Sequence, residues 1–412
     1  MPLPDPFDHS PTEIESRLEL DAHLATGTLA GLTVQGLDLS LEPPDLSTID
    51  VADTLFVGCT LPSAEVVADL VRRGAGVVPH FITVPYPSQP TRLYSPQDLA
   101  QGFDQHGFAG MYDTVVYRHF TASGGAVPPI REALAQRMHD HGIDNALGET
   151  VLAWEAGGGG PVVGVMGGHA EPRGSAGYRA AAEIGYRLAQ AGCLVVSGGG
   201  PGVMEAANLG AFLATQEPSR LDAAIDALSV VPDFTDHDPY TRLALQVRDR
   251  FASAGHHLQP AGAVAPAVAP LRQGGDVGDW ARHGGLSVPT WLYGHEPANL
   301  FAARIAKYFS NAIREDTVLR LARGGLVFAA GRAGTVQEVF QAATKTFYAT
   351  DGKSGPFVFV GTAYWADLPV EPLLRALLAA SPHGDQSDLV LVTDSVDQAV
   401  AKLTESPRVS PG

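Results

Sequence analysis

Short apolar runs alternate with stretches of helical periodicity along most of the chain. From Asp53 the pattern reads strand, turn, helix, strand, as TLFVGCTL, SAEVVADLVRRG and AGVVPHF. The β-branched run DTVVYRHF, Asp113–Phe120, predicts a further strand. PPIREALAQRMHDHG opens with proline and predicts a helix with Ile130, Leu134 and Met138 on one face. Roughly the first 25 residues are polar and proline-bearing, which predicts an arm or a short helix. Glycine-rich EAGGGGP, Glu155–Pro161, reads as a linker, and no phosphate loop precedes it.

Beyond Pro161 the pattern sharpens. VVGVM is a wholly apolar strand, as expected of a parallel sheet covered on both faces. The loop GGHAEPRGSAGY, a helix over Arg179–Ala191 with Ala181, Ile184 and Leu188 on one face, and the strand CLVVS follow. GGGPGVMEAANLGAF is the next turn and helix, and LSVVP, Leu228–Pro232, predicts a third strand. Residues 233–288 read as an irregular insertion or lid, holding the run QPAGAVAPAVAP. The apolar runs TWLYG and GLVFAA then flank a long helix over Asn299–Arg320. A second glycine turn and helix, the strand FVFVG, a helix near Pro369–Leu378, the strand LVLVT and a helix over Val396–Thr404 complete the chain. This alternation predicts an α/β protein. Residues 161–404 would form a doubly wound, Rossmann-like parallel sheet, and residues 1–155 an additional N-terminal α/β domain. No short-period repeat stands out.

Composition changes the picture in a few ways. The 412 residues suffice for two domains, and a formal charge of −18 argues against a nucleic-acid polymer as partner. It does not argue against a mononucleotide, whose phosphate needs only a local nest of N–H groups and one or two cations. The two cysteines, Cys59 and Cys193, build no disulfide framework, which fits a reducing compartment. No signal-peptide pattern opens the chain and no run reaches the length of a membrane span, so the expected location is the cytoplasm.

Two turns carry the candidate chemistry. In VVSGGGPGVMEAA a buried strand ends at Ser197, three glycines follow, and Pro201-Gly202 opens a helix. Glycine lets a ligand approach the backbone, and the helix start offers unpaired N–H groups to an anion. A plain strand–helix connection would read the same way. In LVFAAGRAGTVQEVF the design recurs with Gly331, Arg332, Gly334 and Thr335. Thr335 and Glu338 have the spacing of a capping box, so they either cap the helix or serve a ligand. Both turns fall at the carboxyl ends of expected strands, where open α/β sheets bind ligands. On the expected helix between them, Phe301, Ile305, Tyr308 and Ala312 form an apolar stripe. Arg304, Lys307, Asn311 and Arg314 form a neighbouring stripe, either a solvated face or a source of one site cation.

These residues resemble the lysine-decarboxylase-like nucleotide-binding family known as LOG, whose characterised members are nucleotide phosphoribohydrolases. The family's GGGxxGxM turn is matched by Gly198, Gly199, Gly200, Pro201, Gly202, Val203 and Met204. Its PGGxGTxxE turn is matched in part by Ala330, Gly331, Arg332, Ala333, Gly334, Thr335 and Glu338. Arg314 falls close to the family's helix arginine, GVMGGHA resembles the first strand and loop and places Gly167 and Gly168 near a ligand, and EPANLF resembles an EPPN stretch of longer bacterial nucleosidases. The departures are Ala330 for the family's proline, Arg332 for its second glycine, and Gln337 for a frequent glutamate. The resemblance covers roughly Pro161–Thr404 and leaves the N-terminal part outside, where regulation is an analogy only.

The resemblance implies hydrolysis of the N-glycosidic bond of a nucleoside 5′-monophosphate, in a homo-oligomer, with no cofactor and no metal. Glu338 would stabilise oxocarbenium-like charge and orient or deprotonate a water, and Arg314 would hold phosphate or ribose and keep Glu338 ionised. The backbone of Gly331–Thr335 would grip the phosphate, and Gly198–Gly202 would line the ribose or base. Glu205, in the first turn of its helix, has a weaker claim. His139, His141, His256 and His257 are expected to be solvated or locally hydrogen-bonded rather than metal-bound, whereas His169 and His295 lie near the expected site. The rival is a non-catalytic nucleotide sensor. An NAD-dependent oxidoreductase would need a clean G-x-G-x-x-G, and a decarboxylase a diagnostic pyridoxal lysine; neither is present.

Overall fold

A computed structural model describes residues 12–257 and 277–405. The chain divides into two compact units. Within the described residues, one unit comprises 12–93 and 119–152, and the other 94–118, 153–257 and 277–405.

The first unit carries a four-stranded parallel sheet in sequential order: β1 (Glu13–Ile14), β2 (Thr33–Gln35), β3 (Leu55–Val57) and β4 (Gly76–Val78). Glu13 pairs with Thr33, Thr33 with Leu55, and Leu55 with Gly76, so each strand recurs after about 21 residues. Parallel bridges at Thr28–Asp50 and Asp38–Thr60 keep nearly the same interval away from the strands. The segment is therefore a stack of coils, each contributing inward residues such as Ile14, Val34 and Phe56 to one core. That repeat is absent from the sequence reading because its inward positions share only apolar character and its helices, Arg17–Leu24 and Ala64–Arg72, occur in only some coils.

The second unit holds a seven-stranded parallel sheet, ordered β11-β10-β9-β5-β6-β7-β8. Its strands are β5 (Val162–Met166), β6 (Leu194–Ser197), β7 (Leu286–Ser287), β8 (Arg304–Ile305), β9 (Gly325–Phe328), β10 (Phe357–Val360) and β11 (Val390–Thr393). Every residue of β5, β6 and β9 is buried, which is why these runs are apolar without alternation. The chain winds outward from β5 to β8 and then returns to β9 on the other side of β5, giving a Rossmann-like, doubly wound sheet. Beside β5 and β9 the strand order reverses, and a crevice opens there at the carboxyl ends. No described helix is long and apolar enough to cross a membrane.

Several expected elements differ. Asp113–Phe120 is not a strand but part of the helix Tyr112–Ala122: Asp113, Val116 and Phe120 are buried at helical spacing while Val115 is 41% exposed. Leu228–Pro232 is not a strand either. Leu228 ends the helix Pro218–Leu228, completing its stripe of Leu221, Ala224 and Ile225, and Val230 is exposed. The third strand is β7, from the region expected to be irregular. That region also contains the helix His237–Phe251, and its run QPAGAVAPAVAP lies outside the described residues.

TWLYG forms a short 3-10 turn, Trp291–Tyr293. The long helix over Asn299–Arg320 exists only as Asn311–Leu321, capped by Ser310. Before it the chain is extended through β8 and buried almost continuously from Asn299 to Phe309, and burial on all sides overrides the helical propensity of AARIAKYF. The two stripes drawn on that helix therefore do not form. On the helix Ile130–Ala156, Ile130 and Leu134 are exposed and Met138 is buried. A four-residue step advances about 40° round an α-helix, so that row drifts from the solvent face to the packed face.

The helices Ala176–Gln190 and Val203–Phe212 pack at backbone contact because glycines meet there. A Cβ on Gly210 would lie 1.9 Å from the Ala182 carbonyl oxygen. Gly210→Ala is expected to destabilise the second unit by about 1–3 kcal/mol, lowering the midpoint of its denaturant unfolding. An unchanged midpoint would refute this close approach.

Candidate functional site

Three loops leave the carboxyl ends of the central strands and meet over the crevice. Gly167-Gly168 follows β5, Gly198–Gly202 follows β6, and Ala329–Arg332 follows β9 and leads into a helix at Ala333. The Gly168 N–H donates to the Ala330 carbonyl at 2.9 Å and the Val203 N–H to the Gly168 carbonyl at 3.2 Å, tying the loops together. Gly202 has φ 70°, and a Cβ there would lie 2.4 Å from the Gly168 oxygen, so no other residue fits this turn unstrained.

The loops enclose a cavity of about 390 Å³, within the range of small-molecule sites. Of the residues singled out from sequence, it gathers Gly167, Gly168, Gly198, Gly199, Gly200, Met204, Arg314, Arg332, Gly334, Thr335 and Glu338. Gly202, Gly331 and Ala333 lie in the same turns without lining it. Glu205 is elsewhere: it is buried in a bidentate pair with Arg173 at 2.7 and 2.8 Å and accepts from the Tyr178 hydroxyl at 2.8 Å. Its partners occupy both carboxylate oxygens, so its place is in the packing of the sheet's helices.

Arg314 is fixed in position. Its Nε donates to the Val288 carbonyl and its Nη2 to the Gly198 carbonyl, both at 2.8 Å, so the guanidinium spans the ends of β6 and β7. Its Nη1 stands 3.7 Å from Glu338 Oε1. Glu338 lies on the helix Ala333–Tyr348, whose N-cap is Arg332. Thr335 thus sits inside the first turn and does not cap the helix. Burial pushes the Glu338 carboxyl above its ordinary range, and the Arg314 charge opposes that rise. Gly334 and Thr335 face the cavity at the helix start, where unpaired N–H groups favour an anion.

Four further groups line the cavity: His169 and His295, which were expected near it, Lys307, expected only as one of a basic stripe, and Glu296, which was not singled out from sequence. Glu296, in the EPANLF stretch, is largely buried, with Oε1 2.9 Å from His169 Nδ1. Burial raises its pKa, against the pull of His169, His295, Arg314 and Lys307. His169 and His295 both line the cavity. Lys307 reaches it from the extended chain after β8, not from a helix face. Its Nζ is 2.5 Å from Asp113 Oδ1, which also accepts from Trp291 Nε1 at 2.8 Å. Asp113 was hidden by its distance along the chain and by the strand expected there. Of the other histidines, His139 contacts Asp140 and His141 contacts Glu13.

A family model described as the SLOG cluster4 family matches residues 160–215. The match supports a relationship of the SLOG type, a superfamily that includes LOG-like Rossmann proteins, and is compatible with a nucleotide-related function. It spans β5, β6 and the first glycine turn. No curated protein matches the chain.

The buried Asp113–Lys307 pair yields a prediction. Asp113→Asn leaves a buried ammonium without its counter-charge and is expected to cost about 3–5 kcal/mol of stability. Adding Lys307→Met should restore most of that loss in a thermal or denaturant melt. If the double variant is as unstable as the sum of the two single variants, the pair is not coupled.

Proposed function

We propose that this chain is a LOG-like nucleotide phosphoribohydrolase, hydrolysing the N-glycosidic bond of a nucleoside 5′-monophosphate to free base and ribose 5-phosphate. The observation that carries this reading is the placement of Glu338, 3.7 Å from the fixed Arg314, in a cavity at the strand-order reversal. Both glycine turns contribute to the walls of that cavity.

Cleavage of the glycosidic bond builds positive charge on the ribose as the base departs. A carboxylate beneath the ring stabilises that charge and orients or deprotonates the attacking water; Glu338 takes this role. Arg314 holds the ribose or phosphate and favours the ionised form of Glu338. The N–H groups at Gly334 and Thr335, with Arg332 beside them, bind the 5′-phosphate, and that binding positions the sugar. Glu296, whose pKa is raised by burial, is suited to carry a proton towards the departing base, with His169 beside it. Gly198–Gly200 and Met204 line the remaining wall. This reading carries with it a cytoplasmic homo-oligomer, two chains at least, with no cofactor and no resident metal in the cavity.

A panel of nucleoside monophosphates, assayed for free base and ribose 5-phosphate, tests the proposal. Wild type should release base, and Glu338→Gln should lower kcat by roughly a hundred- to a thousandfold. Because the Glu338 pKa is raised, its carboxylate forms only above the ordinary glutamate range. The acid limb of kcat/KM should therefore be displaced upward in pH, with activity rising as the proton leaves. Nucleotide binding without turnover would overturn the hydrolase reading and favour a sensor, for which the departures Ala330 and Arg332 would be the cause.

A further inference from the structure

Away from the cavity, one cluster joins side chains from two separate stretches of the second unit. His256 lies just beyond the helix His237–Phe251, while Asp279 and His283 come from the helix Val277–Ala281 and the turn after it. One donor atom from each lies within 4.8 Å of those of the other two. His256 Nε2 is 3.1 Å from Asp279 Oδ2, and His283 Nδ1 is 3.4 Å from Asp279 Oδ1. The two imidazoles stack with centroids 3.7 Å apart and planes 11° from parallel.

These separations have a chemical meaning. Nitrogen and oxygen donors at about 2.0–2.2 Å from a tetrahedral ion stand about 3.3 Å from one another. Both separations fall near that value, one to each oxygen of Asp279. Asp279 and His283 are four residues apart, so a single helical turn puts them on one side. Imidazole lone pairs lie in the ring plane, so the two near-parallel rings must turn out of their stack to meet one ion. His283 Nε2 lies 3.3 Å from the Thr215 hydroxyl, the type of outer partner that fixes a ligating histidine. His283 Nδ1 also lies 2.7 Å from the Asp279 carbonyl oxygen, so coordination through Nδ1 requires the ring proton on Nε2. Two imidazoles and one carboxylate suit zinc-class ions better than magnesium or calcium.

We propose that His256, Asp279 and His283 bind one zinc-class transition-metal ion, with water completing the coordination. The ion joins the end of the helix His237–Phe251 to the helix Val277–Ala281, a structural role independent of the nucleotide reading. This revises the expectation from sequence that His256 is only solvated or locally hydrogen-bonded: its partners Asp279 and His283 lie beyond the long run between the two helices and gave no ligand spacing with it.

The test uses the full-length, untagged protein, stripped with a chelator and titrated with Co²⁺. Visible d–d bands should grow to one equivalent per chain, Zn²⁺ should displace them, and Zn²⁺ alone should raise Tm. Asp279→Asn changes a half-exposed side chain and should leave the fold intact. It and His256→Ala should each abolish the bands and the Zn²⁺-dependent rise in Tm. His169→Ala, which alters the cavity instead, should keep both. No bands in the wild type would overturn the proposal. So would bands that survive Asp279→Asn and His256→Ala but vanish in His169→Ala.

Discussion

The buried amide of Asn208 holds the second unit in register. Fully excluded from solvent, it accepts from the Ser197 hydroxyl at 2.6 Å and from Asn299 Nδ2 at 2.8 Å. Its own Nδ2 donates to the carbonyls of Gly284 and Leu286 at 2.6 and 3.0 Å. One side chain thereby joins the end of β6, the entry to β7 and the buried strand-like chain after Pro297. The Ser197 hydroxyl in turn accepts from the Gly199 N–H at 3.1 Å, so the shape of the first glycine turn depends on the same amide. A buried polar network of this kind is stabilising only when every member is satisfied, which makes its geometry single-valued.

From that anchor the electrostatics of the cavity follow. Glu296 and Glu338 are drawn out of water, and burial favours their neutral forms. Arg314 opposes this for both carboxylates, while His169, His295 and Lys307 add to the opposition at Glu296. Lys307 is itself balanced by Asp113 rather than by the cavity carboxylates alone. The cavity charges are thus fixed by groups on three stretches that are remote in sequence, and ligand charge meets a preorganised field.

How much of this was legible in the sequence depends on the range of the interactions involved. Local signals served well: the apolar runs of β5, β6, β9, β10 and β11, the glycine turns, and the helices after them. Where burial overruled local propensity, the reading failed. AARIAKYF has the composition of a helix, yet it is enclosed by other elements and runs extended. DTVVYRHF has β-branched residues at its start, yet it has one packed helical face. The cavity residues on the two turns were found because turn chemistry is local. Asp113, Lys307 and Glu296 depend on tertiary placement, and for Glu296 only the EPANLF stretch offered a signal. Glu205 misled because an acid in the first turn of a helix near a glycine loop looks the same whether it faces a ligand or an internal arginine.

The stacked coils of the first unit have one consequence of a different kind. Each strand there bonds only to its immediate neighbours, and the pairing advances by nearly one constant interval. Such a body can change length only in whole coils, since a partial insertion would push inward residues such as Val34 and Phe56 towards solvent. Its size is therefore quantised, whereas the doubly wound sheet can absorb insertions of almost any length between strands, as the long excursion from β6 to β7 demonstrates.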